Sequence, residues 1–463
     1  MKVYLETMGC QMNRLDSELV EAQLRRAGHE LTGERKAADV VLYNTCSVRR
    51  HAEEKVCSRL GADSRRKRHH RPRLILGVLG CMAQREGEAL RRRFPEVDVV
   101  CAPGQLGRLV ELLDRAASGT PAVALDPPRG ADGPAAPDDL DRLDLARDVR
   151  HTTTPRQAYV RVMKGCDNFC TYCIVPFVRG AERSRDPRRV VEEVARLAAA
   201  GRSEITLLGQ AVNRYRWTGG RREVGFGELL ERVAAVEGLR RLRFVTSHPL
   251  GLSDDVLRAM RDLPNVCEYL HCPPQSGSDA VLRRMKRGYT RGDYDALVDR
   301  AREIVPGVVL AGDFIAGFPG ETEADHAASA ELIRRSGFKN SFLFKYSPRP
   351  GTFAARNFPD DVPEAVKRRR HGELLAVQQE VGLAHHRAYV GQGVEVLVEG
   401  PSVRADKQPA PPTPAATQLV GRTRGDHIVH FVGPRRLAGR YVPVRVTGAT
   451  ALALLGELVG DGG

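Results

Sequence analysis

Short apolar runs alternate with helical stretches along most of the chain. "KVYLET" precedes "RLDSELVEAQLRRAG", "DVVLYNT" precedes a helix from Val48, "LILGVLG" precedes one from Glu86, and "VDVVCAP" precedes "LGRLVELLDRAA". Strands that alternate with helices predict a parallel sheet, here a small doubly wound α/β domain over residues 1–118. The pattern breaks in "PAVALDPPRGADGPAAPDDLDRLD", whose Pro, Gly, Ala and Asp predict a linker over 119–153. It resumes in "AYVRVM", "EITLLG", "LRFVTS", "CEYLHC", "VVLAGDFIAG" and "SFLFKYS". Six β/α units predict an open, partial (β/α)6 barrel over 154–384, since a closed one takes eight.

After the charged helix "AVKRRRHGELLAVQQEVGLAHHRAYV" the period falls to two. "GVEVLVEG", "QLVGRTRGDHIVHFVG" and "YVPVRVTGAT" are short strands split by Gly and Pro, which predicts a small all-β barrel over 385–452. Within it "ADKQPAPPTPAATQ" reads as a disordered loop tip. No repeat of solenoid period occurs.

A chain of 463 residues suits about three domains at ~150 residues each. No apolar leader follows Met1 and no run of about 18 apolar residues occurs, so no membrane span is expected. The expected compartment is the cytoplasm, where thiols stay reduced, and the 10 cysteines read as ligands or buried small side chains. Absence of coiled-coil heptads points to a monomer. Lys and Arg (72) outnumber Asp and Glu (58), a formal charge of +14 that suits a polyanionic partner as well as a solvated basic surface. The run "RRKRHHRPR" from Arg65 reads as a solvated loop.

Two sets of cysteines carry candidate chemistry. "RVMKGCDNFCTYC" puts Cys166, Cys170 and Cys173 at CxxxCxxC spacing where a strand ends. Cys10, Cys46 and Cys81 each follow a predicted strand of the first domain, where open α/β sheets bind ligands. Cys57, Cys101, Cys267 and Cys272 lack such a pattern and read as buried side chains. Zinc closes a structural shell with four Cys or His ligands, and the nearest downstream histidine, His248, is remote in sequence. A 4Fe–4S cluster can instead be held by three thiolates with one iron left open.

With an aromatic, Tyr172, before the last cysteine, "CDNFCTYC" resembles the signature of the radical S-adenosylmethionine superfamily. Over almost the whole chain, "ETMGCQMNRLDSE", "YNTCSVR", "LGCMAQR", "KGCDNFCTYCIVPFVRGAERSR", "LLGQAVNRY", "TSHP", "PPQSGSDAVLRRMKRGYT", "GFPGETEAD" and "KYSPRPGTFAA" resemble blocks of its methylthiotransferase family. The last segment resembles an RNA-binding TRAM barrel. Gln11, Met12 and Asn13 after the first cysteine are similar to the branch acting on isopentenylated adenosine beside the tRNA anticodon. Sister branches act on threonylcarbamoyl-adenosine or on a ribosomal-protein aspartate. Cys272 and Gly312 depart from the usual aliphatic residue and Thr, and the insert near Pro409 departs as well.

The resemblance implies two 4Fe–4S clusters, one on Cys10, Cys46 and Cys81 that carries sulfur, one on Cys166, Cys170 and Cys173 that cleaves S-adenosylmethionine. It implies methylthiolation of adenine carbon 2 in tRNA, with one S-adenosylmethionine as methyl donor and a second as radical source. An electron donor and a sulfur donor are required, and the sequence identifies neither. Tyr172, Gln210 and Glu321 are the expected cofactor contacts. Gln275, Ser276 and Arg349 are expected at the substrate, and Arg422, Arg424 and Phe431 on RNA. A rival of another class is a non-catalytic zinc- and RNA-binding protein.

Overall fold

The computed structural model describes residues 1–47, 50–127, 139–149, 154–403 and 416–460. Its first sheet is parallel throughout, in the order Glu30–Leu31, Lys2–Met8, Val40–Thr45, Ile75–Gly80, Val99–Cys101, Ala122–Ala124. Val40–Thr45 and Ile75–Gly80 are buried at every position. Continuous apolar runs of this kind are what a parallel sheet covered on both faces requires. One face packs Leu15, Leu19, Leu24 and Leu112, the other Val56, Leu60, Met82 and Leu90. Strand order reverses between Lys2–Met8 and Val40–Thr45, the switch point at which such sheets open a crevice. In register, Met8 pairs with Thr45 and Thr45 with Gly80. Cys46 and Cys81 therefore follow paired positions, and Cys10 lies two residues past its own.

The stretch expected as a linker contributes structure. Ala122–Ala124 adds the sixth strand, and a helix, Asp139–Leu145, places Leu143 against the first core. Only three residues of that strand pair, too few to register as a periodic run. Residues 128–138 and 150–153 lie outside the described set, as do Val48 and Arg49 where a helix was expected to begin. The basic run from Arg65 is corrected as well: its first residues end the helix Arg50–His69. There Arg66 donates to the Arg35 and Lys36 carbonyls, and Lys67 pairs with Asp98.

The second unit lays out six parallel strands in chain order. Gln157–Arg161, Glu204–Leu208 and Arg241–Phe244 form one run, and Tyr269–His271, Val309–Ala316 and Asn340–Lys345 the next. A parallel bridge between Leu242 and Val266 joins the two. This is the expected partial β/α barrel. After the helix Glu364–Arg387 come five strands closed into a barrel: Gly393–Pro401, Ala416–Arg422, Ile428–Pro434, Ala453–Leu458 and Tyr441–Ala449. The fold class expected from the sequence is therefore observed. Most of the proline-rich insert lies outside the described residues, but Ala416–Gln418 belong to a strand rather than a loop tip.

Buried arginines hold the barrel to the second unit. Arg241, 1% exposed, donates to the Arg422 carbonyl at 2.9 Å and to Glu395. Arg243 donates to the carbonyls of Thr423 and Arg424. Among the described residues no helix is long and apolar enough to cross a membrane.

Candidate metal centres

Cys10 caps the helix Gln11–Arg26, so its sulfur faces the amides of Met12 and Asn13. Gly80, at φ +89, lets the chain turn directly into the helix that Cys81 begins. A Cβ there would lie 2.5 Å from Asn44 Oδ1, so only glycine fits. Beneath the sulfurs, fully buried Asn13 and Asn44 lock together: Asn13 Nδ2 donates to Asn44 Oδ1 and Asn44 Nδ2 to the Asn13 carbonyl, both at 2.9 Å. Cys10 Sγ in turn donates to Asn13 Oδ1 at 3.3 Å.

Within this first trio Cys10 favours thiolate. A hydrogen bond from Cys46 holds the Cys10 thiol down to about 6, with help from Arg179 and against the effect of burial. Burial pushes Cys81 up, but Arg179 opposes it by donating from Nε to Cys81 Sγ at 3.2 Å. Arg179 also contacts Asp16 at 2.8 Å, out of line for a hydrogen bond. Asp16 takes a hydrogen bond from Arg161 Nη1 at 3.2 Å. From there buried charges run without a break through Asp144, Arg185, Glu193 and Arg147 to Glu18. The network ties the first domain, the helix Asp139–Leu145 and the second unit together.

Cys166, Cys170 and Cys173 lie on the loop after Gln157–Arg161. Burial raises Cys166 and takes Cys173 up to about 12, and the neighbouring Cys170 raises both further. Thiols raised in this way become thiolates only against positive charge, which a bound iron centre would supply. Arg287 Nη1 donates to Cys170 Sγ at 3.4 Å, so each trio has one buried arginine at a sulfur. Among the described residues no three His, Cys, Asp or Glu side chains are placed to hold a single metal ion. A cluster takes one thiolate per iron, so its sulfurs need not converge on one point. The donor sets thus fit 4Fe–4S clusters.

The two trios are neighbours. Ile174 and Val178, just past Cys173, pack on Cys81, and Arg179 follows immediately. Along the barrel's strand ends, Gln210 Oε1 and His248 Nε2 are buried without a partner. His248 Nδ1 accepts from the Leu250 amide at 3.2 Å, so the neutral ring carries its proton on Nε2. Burial, with Arg287 and Arg214, lowers that histidine to about 3 and keeps it neutral. Thr246, a β-branched residue at φ +67, sits in the same turn, a strained conformation that concentrates at functional sites.

The remaining expected site residues divide. Tyr172 stands beside Cys170 and Cys173, edge-on to Phe318 with ring centroids 6.3 Å apart. Glu321 Oε1 accepts from the Gly317 amide and from Arg370, fastening a turn to the helix Glu364–Arg387. Ser276 is 1% exposed; its Oγ accepts from the Ser278 amide and lies 3.4 Å from Ser329 Oγ. Gln275, at φ +70, pairs its backbone with the neighbouring strand at Asp313 and Ile315. Arg349 reaches Glu53 of the first domain at 3.2 Å, beside a cavity of about 310 Å³. Arg422 already holds Glu399 and Asp426, and Arg424 clamps Glu268 and the Pro264 and Val266 carbonyls. Phe431, 2% exposed, fills the barrel core. All three expected RNA contacts are thus engaged inside the protein. Sequence reasoning missed Asp16, Arg179 and Arg287; only Arg179 carries a signal, a charge set in the apolar run "IVPFVRG" after Cys173.

Fold and the spacing of Cys166, Cys170 and Cys173 define a class, the radical S-adenosylmethionine proteins. Residues 160–333 match the radical SAM superfamily and residues 2–102 an uncharacterized protein family, UPF0004. A solved radical S-adenosylmethionine methyltransferase, TsrM from Kitasatospora setae, with cobalamin and a [4Fe-4S] cluster bound, shares the fold. Its TM-score is 0.54 at 16% identity, over 76% of this chain and 74% of that one. Much nearer in sequence is the tRNA-2-methylthio-N(6)-dimethylallyladenosine synthase of Rhodopirellula baltica, 46% identical over 98% of this chain and 95% of its own. That of Moorella thermoacetica is 43% identical over 98% and 97%. The chain belongs to the family of tRNA-2-methylthio-N(6)-dimethylallyladenosine synthases.

Proposed function

We propose that the chain methylthiolates carbon 2 of N(6)-dimethylallyladenosine in tRNA, using S-adenosylmethionine and an iron–sulfur centre at each cysteine trio. The observation that carries this reading is the short segment Cys170–Arg179, which serves one trio with its cysteines and the other with Ile174, Val178 and Arg179. A base reacting between two centres needs them fixed at close range, and this segment fixes them. Cys10, Cys46 and Cys81 would hold the sulfur-bearing centre, and Cys166, Cys170 and Cys173 the other. Bound there, a 4Fe–4S cluster with an open iron supplies the electron that cleaves S-adenosylmethionine, giving access to a carbon–hydrogen bond that acid–base chemistry does not reach.

The chain's own residues bind and orient. Arg179 and Arg287 offset thiolate charge at their respective trios. Tyr172 presents a ring beside the loop cysteines. Gln210 Oε1 offers an acceptor and His248 Nε2 a donor, both desolvated and unpaired, to an adenine or to the cofactor. The protein acts on tRNA in the cytoplasm as a monomer, with external electron and sulfur donors.

Nucleoside analysis of tRNA from a deletion strain tests the reading. Loss of 2-methylthio-N(6)-dimethylallyladenosine is expected, and an unchanged pool refutes it. Cys170→Ala abolishes 5′-deoxyadenosine formation, whereas Cys46→Ala leaves uncoupled formation while blocking sulfur insertion. Full methylthiolation by both variants would rule out the two-centre assignment.

A further inference from the structure

The inner face of the partial barrel, along Tyr269–His271, Val309–Ala316 and Asn340–Lys345, carries side chains that none of the roles above uses. Alternation along each strand fixes which ones these are. Leu310, Phe314 and Ala316 belong to the core shared with the surrounding helices, and Leu343 packs on it. Ala311, Asp313 and Ile315 therefore face inward. So do Phe342 and Phe344, which pair in register with Asp313 and Ile315. Phe342 is 48% exposed, and its ring stacks on that of Phe344 with centroids 6.5 Å apart and planes 20° apart.

Beside this stack, His271 Nε2 lies 3.0 Å from Asp313 Oδ1. His271 Nδ1 accepts from the amide of the strained Thr246 at 3.3 Å, so Nε2 carries the hydrogen and donates to Asp313. Asp313 Oδ2 is left without a hydrogen bond among the described residues, on a side chain 22% exposed. Position then selects the occupant. Ile315, ~7 Å further along the face from Asp313, packs on Phe318 and Tyr346, as does Tyr172 of the CxxxCxxC loop. At the other end, Val245 packs on Tyr269, Val309 and Ala311 and also on the first domain's core, as Cys10 does. The face thus reaches from the loop of one trio toward the other, where a base served by both must lie.

On the reading under "Proposed function", that base is N(6)-dimethylallyladenine, whose N6 keeps a hydrogen and carries a branched apolar chain. We infer that Asp313 Oδ2 accepts the N6–H and that the Phe342–Phe344 stack receives the dimethylallyl chain. His271 holds one carboxyl oxygen and leaves the other for the base. Plain adenine brings the donor without the chain and forfeits the aromatic contact. A threonylcarbamoyl group at N6 would set a second acidic group beside Asp313 and a polar chain against the rings, so the same face selects against it. Asp313, Phe342 and Phe344 are specificity residues of the reaction.

The test uses reconstituted, oxygen-free enzyme and anticodon stem-loop RNAs whose target purine carries dimethylallylamino, dimethylallyloxy or methylamino at carbon 6. Methylthiolation is read as kcat/KM on each RNA. Wild type should lose at least about 30-fold when the N–H becomes oxygen, because Oδ2 then meets a lone pair. Asp313→Asn can turn its amide N–H to that oxygen and should bring the two RNAs within about threefold of each other. Phe342→Ala should cut the preference for dimethylallylamino over methylamino by at least about tenfold. Its N–H to oxygen ratio should stay within about twofold of wild type. Each ratio compares two RNAs on one protein, so a loss of folded enzyme cancels. If Asp313→Asn keeps the wild-type N–H to oxygen ratio, Asp313 serves only to hold His271 and the inference is overturned. An unchanged chain preference in Phe342→Ala overturns it as well. Wild-type turnover of the dimethylallylamino RNA tests the underlying reading: turnover with unmoved ratios refutes this inference alone, and no turnover refutes that reading.

Discussion

Replacing Arg179 with methionine isolates the link between the two trios. Methionine keeps an unbranched apolar stem and removes the charge. Asp16, 0% exposed, would then be left with Arg161 alone, and Cys81 would lose its 3.2 Å donor. Breaking a buried pair by removing one partner costs about 3–5 kcal/mol, because the other charge stays out of water. Arg161 remains at 3.2 Å, so the lower end applies, about 3 kcal/mol. For a unit of this size that lowers the melting temperature of the cluster-free protein by roughly 6–12 °C. A second readout is local. Losing an outer partner of a metal ligand costs ~10–100-fold in affinity, so Arg179→Met should shed iron and labile sulfide from the Cys10–Cys46–Cys81 set and keep it at the other. Anaerobic calorimetry of the apo-protein and iron–sulfide analysis of the reconstituted protein measure the two effects. An apo-protein melting within about 1 °C of wild type, with full iron at both sites, would refute the argument.

Two further outcomes follow from the barrel's attachment. Burial lowers His385 to about 4, with His386 and Lys339 adding to the effect, and lowers His427 to about 2 for the same reasons. Both are neutral when folded and titrate near ~6.5 when unfolded, so their stability is complete above that pH and drains away as pH falls toward 4. Melting curves between pH 7.5 and 5 should show this decline, His385→Asn should flatten it, and an identical slope in the variant would count against it. Arg424→Ala removes the clamp on Glu268, Pro264 and Val266 and should weaken barrel docking by about 2 kcal/mol. Limited proteolysis should release the barrel faster, and Arg424→Lys should not restore it, because an ammonium lacks the planar fork. An unchanged digestion pattern would disprove the clamp.

Chemistry that depends on residue type at fixed spacing was legible in the chain. CxxxCxxC after a strand, and cysteines at three successive strand ends, are local patterns, and so are the six apolar runs of the partial barrel. Parallel register then does the rest, since Met8, Thr45 and Gly80 pair in line. Long-range pairing was not legible. Nothing near Arg179 in sequence announces Asp16, which lies 163 residues away across a domain boundary. Arg422 and Arg424 look like free basic side chains in "GRTRGD", yet their partners Glu399, Asp426 and Glu268 are set by how the barrel closes and docks. Phe431 alternates correctly for a strand, but which face of a closed barrel it takes depends on register. Ala122–Ala124 is a strand because an edge was open beside Val99–Cys101, and only the assembled sheet reveals that edge.

The ten residues from Cys170 to Arg179 act as a shared beam between two rooms. A hinge that swung the amino-terminal domain aside would have to pull Arg179 away from Asp16 and Ile174 from Cys81, tearing charge and apolar contacts at one stroke. Traffic through this molecule therefore uses its windows: long tRNA must enter along the rim while the walls stay put.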